Sequence, residues 1–272
     1  MEQIAKGQAF QALHRSPGAF VIANAWDGAS ARILSGLGFA ALATSSGAQA
    51  ATLGRLDGRV ARDEALAHAR VIVAAVDLPV SADLEKGFGD APEDAAETIR
   101  QAAAAGLVGG SIEDATGDPA RPLFELGQAV ERVAAAAEAA RAGAVPFTLT
   151  ARSENFLRGK LDLDDTIARL QAFERAGADV LFAPGLPDLA SVRAVCKALA
   201  KPVNFMVGIP GKSFSVAELV DAGVRRISLA TSLYRAALAG LVDAANEIRE
   251  RGTFTFVDRA MSSKALAEFL KR

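Results

Sequence analysis

Pro79-Val80-Ser81-Ala82-Asp83-Leu84-Glu85-Lys86-Gly87-Phe88-Gly89 decides the fold of this chain. It is a short apolar run that turns acidic and then breaks at glycine, as a buried parallel strand does where it leaves its sheet. A helical pattern opens at Pro92 with acids in its first turn and stops at Gly106. A second run, Gly109-Gly110-Ser111-Ile112-Glu113-Asp114, repeats the design. The unit recurs throughout. Apolar runs occupy 19–26, 39–46, 79–84, 107–114, 146–152, 179–185, 201–207 and 225–231, and the clearest helical patterns occupy 63–76, 92–105, 126–142 and 163–176. Eight strand–helix units without a composition break predict one (β/α)8 TIM barrel over residues 1–240. A doubly wound open sheet usually has fewer strands, and no Gly-rich dinucleotide loop follows the first run. Helical patterns at 232–251 and 257–271 make 241–272 a C-terminal extension of the same domain.

The chain has 272 residues, 51% hydrophobic and 23% charged, enough for one large core. A net charge of −2 gives no basic footprint for nucleic acid or an anionic membrane. One cysteine, Cys196, excludes an internal disulfide, and its helical setting reads as core. The N-terminus lacks the order of a signal peptide, and no apolar stretch reaches the ~20 residues of a membrane span. The expectation is a soluble, cytoplasmic protein.

In a barrel of this kind active sites lie at the C-terminal strand ends. Asp83, Glu85 and Glu113 fall there, on two adjacent strands. Asp83 and Glu85, two apart, share a face of an extended segment, so both carboxylates approach one point. Acids on two strand ends suit a hard divalent cation that takes oxygen ligands and keeps several waters. Of Glu113 and Asp114, one is expected to join that shell through water and the other to cap the next turn. Arg152 ends the fifth strand, either forking to a substrate carboxylate or pairing with Glu113 or Glu154. Ser45, Ser46 and Gly47 offer a backbone nest for an anion or a plain turn. Asp57, in Gly54-Arg55-Leu56-Asp57-Gly58, is a lid acid or an Asp-Gly turn. Asn204 ends the seventh strand, facing the far end of a substrate or bonding a loop. His14 and His68 lie away from the strand ends, so no catalytic histidine is assigned.

Taken in order, Asn24-Ala25-Trp26-Asp27, Thr44-Ser45-Ser46-Gly47, Asp57, Asp83 to Gly89, Ile112-Glu113-Asp114, Ala151-Arg152-Ser153-Glu154 and Ser232 to Ala237 resemble the isocitrate lyase/phosphoenolpyruvate mutase superfamily. The resemblance implies a (β/α)8 barrel whose eighth helix is swapped onto a neighbouring subunit, in a homodimer or homotetramer. It implies Mg2+, with Mn2+ as the substitute, and a 2-oxo acid cleaved through an enolate. By position it makes Asp83 the direct metal ligand, with Glu85 and Glu113 holding metal-bound waters. Arg152 and the backbone of Ser46 and Gly47 would hold the substrate carboxylate, Trp26 and Ser45 would line the substrate, and Asp57 would sit on a gating loop.

The resemblance stops at the loop after the fourth strand. The family's carbon–carbon lyases carry Lys-Lys-Cys-Gly-His there, and this chain reads Asp114-Ala115-Thr116-Gly117-Asp118-Pro119-Ala120-Arg121-Pro122. Without that cysteine, isocitrate or methylisocitrate cleavage by the family route is not expected, and the mutase and phosphonopyruvate hydrolase also use a basic residue at this place. Oxaloacetate decarboxylation needs no such group. The expected function is a Mg2+-dependent lyase of a small 2-oxo acid or dicarboxylate. The alternatives are another C–C or C–P cleavage, or a binding protein that kept the pocket and lost the chemistry.

Overall fold

The computed structural model describes residues 1–271; Arg272, the last residue of the expected extension, lies outside them. Eight parallel strands close into a barrel in sequence order: β1 (Phe20–Asn24), β2 (Leu42–Ala43), β3 (Val80–Asp83), β4 (Gly109–Glu113), β5 (Thr148–Arg152), β6 (Val180–Phe182), β7 (Val203–Met206) and β8 (Arg226–Ser228). The strands are shorter than the apolar runs that announced them, because the ends of each run form the turns above and below the sheet. The helices are α1 (Gln3–Arg15), α2 (Gly28–Gly36), α3 (Ser46–Thr52), α4 (Arg62–Ala75), α5 (Pro92–Ala104), α6 (Leu126–Ala142), α7 (Leu163–Ala176), α8 (Leu189–Ala198), α9 (Val216–Asp221), α10 (Ser232–Arg251) and α11 (Ser263–Leu270).

Local chemistry sets the helix ends. Asp27 caps α2 by accepting from the Ser30 amide at 2.6 Å, and the Ser30 hydroxyl accepts from the Asp27 amide at 3.0 Å. Asp162 caps α7 in the same way, and α7 stops at Gly177 in the left-handed conformation, φ 109°.

Each strand shows two faces. On β5, Leu149 and Ala151 turn outward into the apolar layer against the helices, joined there by Ile99, Leu107, Phe173 and Leu181. Thr148, Thr150 and Arg152 alternate with them and face the lumen. The lumen wall is mixed: Asn24, Thr44, Ser111, Asn204, Arg226 and Ser228 share it with Ile22, Ala43, Ala82, Phe182, Met206 and Ala230. A TIM barrel usually fills this space with branched apolar layers. Here a separate apolar cluster closes the N-terminal end, where Phe10 of α1 packs on Ile22, Ala41, Ala43 and Val108. Gly109 is required beneath that plug, since a Cβ would lie 2.8 Å from the Phe10 ring.

After β8 the chain leaves the barrel. α10 has no buried residue, and Leu238, Leu241, Val242 and Ile248 stay exposed along it. α11 returns to pack on α2, where Arg32 donates to the Leu270 carbonyl. Residue 240, the expected edge of the barrel, lies inside α10. Among the described residues no helix is long and apolar enough to cross a membrane.

Candidate active site

Asp83 sits at the last position of β3, where the sheet pairing places Ser111 of β4 beside it. Its backbone N–H donates to Thr44 Oγ1 at 3.1 Å. One carboxylate oxygen accepts from the Ser46 hydroxyl at 3.0 Å and, longer, from the Ser46 amide at 3.4 Å. The other accepts from the Glu85 amide at 3.3 Å and lies 3.6 Å from Arg152 Nη1. Glu113, paired in register with Arg152 across β4 and β5, brings its carboxylate within 3.3 Å of the same nitrogen. Arg152 Nε donates to Glu154 at 2.5 Å. Arg158, one turn further on, bridges Glu154 at 3.1 Å and Glu113 at 3.5 Å. The ion-pair alternative for Arg152 is thus the one seen: its guanidinium stands at the cavity mouth, paired with Glu113 and Glu154.

These groups titrate abnormally for physical reasons. Burial raises the Glu113 carboxyl, Arg152 opposes that, and Glu154 and Asp83 add to it. Glu85 is pushed up to about 7, first by burial and then by Asp83 and Asp57. Burial works against the Arg152 charge, but Glu154, Glu113 and Asp83 more than offset it and hold its pKa above the usual arginine value. Asp57 rides on an exposed loop with its carboxyl turned over Gly47. There a Cβ would lie 3.3 Å from Asp57 Oδ2 and 3.1 Å from Thr231, so glycine is needed for the loop to sit. Burial of that carboxyl and the charge of Asp83 raise its pKa.

The backbone is strained at the same place. The non-glycine residues with positive φ among those described are Glu85 (50°), Phe88 (60°) and Ala230 (48°). Glu85 and Phe88 flank the β3 turn, and Ala230 lines the cavity beneath the mouth. Left-handed conformations cost a side-chain-bearing residue about 1–3 kcal/mol each and gather at functional sites. Glu85 and Phe88 line a recess of about 470 Å3 beside the rim, and Ala230 lines the luminal cavity of about 60 Å3, bounded by Asp83 and Arg152 above and Asn204 and Arg226 below.

The sequence profile of the family described as phosphoenolpyruvate phosphomutase matches residues 10–249. This chain belongs to that family. Within the isocitrate lyase/phosphoenolpyruvate mutase superfamily it is 31% identical to the oxaloacetate decarboxylase of Paraburkholderia xenovorans (strain LB400), across 91% of this chain and 83% of that one. It is 28% identical to the 2-methylisocitrate lyase of Escherichia coli (strain K12), across 95% and 89%. Among solved structures, a Burkholderia cenocepacia J2315 protein described provisionally as a lyase/mutase is 51% identical and superposes with a TM-score of 0.98, across 99% of this chain and 98% of that one. The superfamily member 2,3-dimethylmalate lyase is 27% identical with a TM-score of 0.86, across 97% and 94%.

Against the family pattern, the structure brings Asp83, Glu85, Glu113, Arg152 and Asp57 to one mouth. Ser45 spends its hydroxyl on the Ala48 amide as the cap of α3, and the Ser46 donors turn to Asp83. The predicted nest is therefore the start of a short helix that holds the acid. Asn204 lines the cavity with its amide already engaged: Oδ1 accepts from Arg226 Nε at 2.9 Å and Nδ2 donates to Ser228 at 2.9 Å. Trp26 stands edge-on to Tyr234 at 5.5 Å, beside the cavity and not on its wall. Asp114 turns away, accepting from the Glu154 amide at 2.8 Å and pairing with Arg169 at 3.1 Å. It is the structural member of the Glu-Asp pair.

Sequence reasoning missed Arg158, Lys86 and Arg226. Lys86 donates to the Thr116 carbonyl at 2.6 Å and pairs with Asp90, holding down the loop that lacks the family's cysteine. Arg226 was hidden because it opens β8 at the inner end of a strand. The alternation Thr148, Thr150, Arg152 was the available signal that the lumen wall carries polar side chains. His14, read as lying outside the barrel, plugs its floor: Nδ1–H donates to the Phe10 carbonyl at 2.8 Å, which leaves Nε2 facing Arg226 at 3.5 Å.

Among the described residues no three acids or histidines form a direct cage for a metal. The donor set nevertheless fits a hydrated hard cation. Five carboxyls, those of Asp57, Asp83, Glu85, Glu113 and Glu154, meet two guanidiniums, Arg152 and Arg158. One carboxylate as direct ligand and waters bridging to the others is how Mg2+ prefers to be held.

Proposed function

We propose that this protein is a Mg2+-assisted carbon–carbon lyase acting on a small 2-oxo acid or 2-oxo dicarboxylate, with decarboxylation of the oxaloacetate type as the leading reaction. The convergence of Asp83, Glu113 and Arg152 over a small cavity floored by Asn204 and Arg226 carries the reading. Asp83 would hold the ion directly, with Glu85 and Glu113 on its waters; Mn2+ suits the same oxygen donors. When bound, the ion would supply Lewis-acid polarisation of the substrate ketone.

The chain's own groups do the rest. As the bond to C3 breaks, its electron pair moves toward the ketone oxygen, and the Arg152 guanidinium at the mouth offsets the charge that develops. Asp57 closes over Gly47 and excludes water. The carboxylate on C3 leaves as CO2. After CO2 has left, the enolate takes its C3 proton from water as the Asp57 loop reopens, so no proton need be delivered by the loop 115–122, which has no cysteine, histidine or lysine. Another carbon–carbon or carbon–phosphorus cleavage would need a donor from elsewhere.

Pyruvate formation from oxaloacetate with Mg2+ is the direct test, and Asp83→Ala is expected to lower kcat about 100-fold or more. Unchanged turnover in that variant would remove the reading. Tight Mg2+-dependent binding of oxalate without turnover of any 2-oxo acid would favour a binding protein instead. The exposed apolar stripe of α10 supports a homo-oligomer, dimer or tetramer, in which a second copy covers that helix by exchange. Light scattering at monomer mass would end that part. A cytoplasmic setting accords with such chemistry.

A further inference from the structure

Among the described residues, Arg226 is a buried cation with no acid beside it. It is 5% exposed and lines the same cavity as Asp83 and Arg152. Its partners are all neutral: Asn204 Oδ1 at 2.9 Å from Nε, Thr150 Oγ1 at 3.0 Å from Nη2, and His14 Nε2 at 3.5 Å from Nη1. A guanidinium has five N–H groups, so these three contacts leave two without a partner. His14 cannot supply the missing negative charge, and burial beside Arg226 keeps it neutral, with its pKa down at about 3. Burial also lowers Arg226, to about 9, which still leaves it charged at neutral pH. A lone buried charge is strongly unfavourable unless something pairs with it.

Neither arginine side chain at the mouth is free in this way. Arg152 is already shared among Glu154, Glu113 and Asp83. Thr150 and Arg152 are two residues apart on β5, so the guanidinium bonded to Thr150 lies one layer below Arg152, about 7 Å down the strand. The space between is small, about 60 Å3, against the 10–15 Å3 that one water needs. It admits a carboxylate and excludes a ring or a sugar.

We propose that Arg226 is the anion-binding floor of the substrate site and takes, through its two spare N–H groups, a carboxylate that the reaction keeps. This rests on the 2-oxo acid reading above and assigns the carboxylate a place within it. A cation against a carboxylate stabilises the anion and opposes its loss as CO2, so the held group survives and the bond that breaks lies toward the mouth. For a 2-oxo dicarboxylate the reacting end then sits among the acids, and the retained end sits on Arg226. Asn204 is the positioning residue that fixes the guanidinium between Thr150 and Ser228.

The test is calorimetry with Mg2+ and three probes: oxalate, pyruvate, and pyruvamide, which keeps the ketone without the charge. Arg226→Met is expected to weaken oxalate and pyruvate about 30-fold or more, the usual effect of losing one partner of a buried charge pair, and to leave pyruvamide within about threefold. Asn204→Asp places a carboxylate against the guanidinium in an isosteric frame. It is expected to fold at least as well and to lose oxalate and pyruvate to the same degree, which keeps the test open should Arg226→Met fail to fold. Retention of oxalate and pyruvate affinity by either folded variant overturns the role of Arg226 and leaves the 2-oxo acid reading intact. Failure of the wild-type protein to bind either acid overturns both.

Discussion

At the mouth of the lumen five carboxyls crowd around two guanidiniums; at the floor one guanidinium faces three neutral groups. The floor is buried and the mouth only partly so, and both are anchored by polar residues on the inner faces of strands whose outer faces are apolar. They differ in what they lack. The mouth has an excess of negative charge and is closed by ion pairs, so it wants a cation. The floor has a single positive charge and no counter-ion, so it wants an anion. A substrate that is an acid bound beside a divalent cation meets both needs, and neither region alone would specify it.

The largest expected effect breaks the mouth. Arg152→Met leaves Glu154, whose side chain is fully buried, and Glu113 with only the half-exposed Arg158. Loss of one partner from a buried ion network costs about 3–5 kcal/mol, so denaturant unfolding should move by that amount. A change below about 1 kcal/mol would show that the network is not held by Arg152. Next comes the plug beneath the floor. Gly109→Val drives a side chain into Phe10, where even a Cβ would stand at 2.8 Å. Overpacking of this kind costs about 1–3 kcal/mol, and a variant as stable as the parent would show that α1 moves aside freely.

Arg226→Met sharpens the contrast. Removal of an unpaired buried charge is favourable, while Asn204, Thr150 and His14 lose a donor. The two effects oppose, and the unfolding free energy should change by no more than about 1 kcal/mol. A loss like that of Arg152→Met would mean that the floor is a structural network after all. The smallest effect is a pH trend. Glu85 has its pKa raised to about 7 in the folded protein, against about 4.3 in an unfolded chain. The fold therefore binds that proton more tightly, and the stability it lends is complete below the unfolded value and lost as pH rises toward 7. Metal-free protein should melt lower at pH 8 than at pH 5, and Mg2+ should raise the melting temperature more at pH 8. A larger Mg2+ effect at pH 5 would separate the mouth acids from the metal.

Much of the mouth was legible in the chain. Asp83, Glu85, Glu113 and Arg152 could be placed together because parallel strands of a barrel all end on one rim, and each residue stood at or just beyond the end of its apolar run. Pro92 and the acids after it marked a helix start by local chemistry alone. The floor was not legible. Arg226 begins its strand, His14 lies in a helix some 200 positions earlier in the chain, and Thr150 reads as an ordinary β-former. Nothing in sequence spacing brings them together. Asn204 lies on the cavity wall and Ser46 beside Asp83, and their hydrogen bonds go to protein groups that no local pattern names.

The sequence by itself determined the strand–helix alternation, the barrel and the acidic rim, because periodicity and capping act within a few residues of each position. Only the tertiary structure decided which charges are paired, which strand faces line the lumen and that α10 leaves the barrel uncovered. Those outcomes depend on closure of eight strands into a ring, which sets distances between residues far apart in the chain and removes the water that would otherwise screen them.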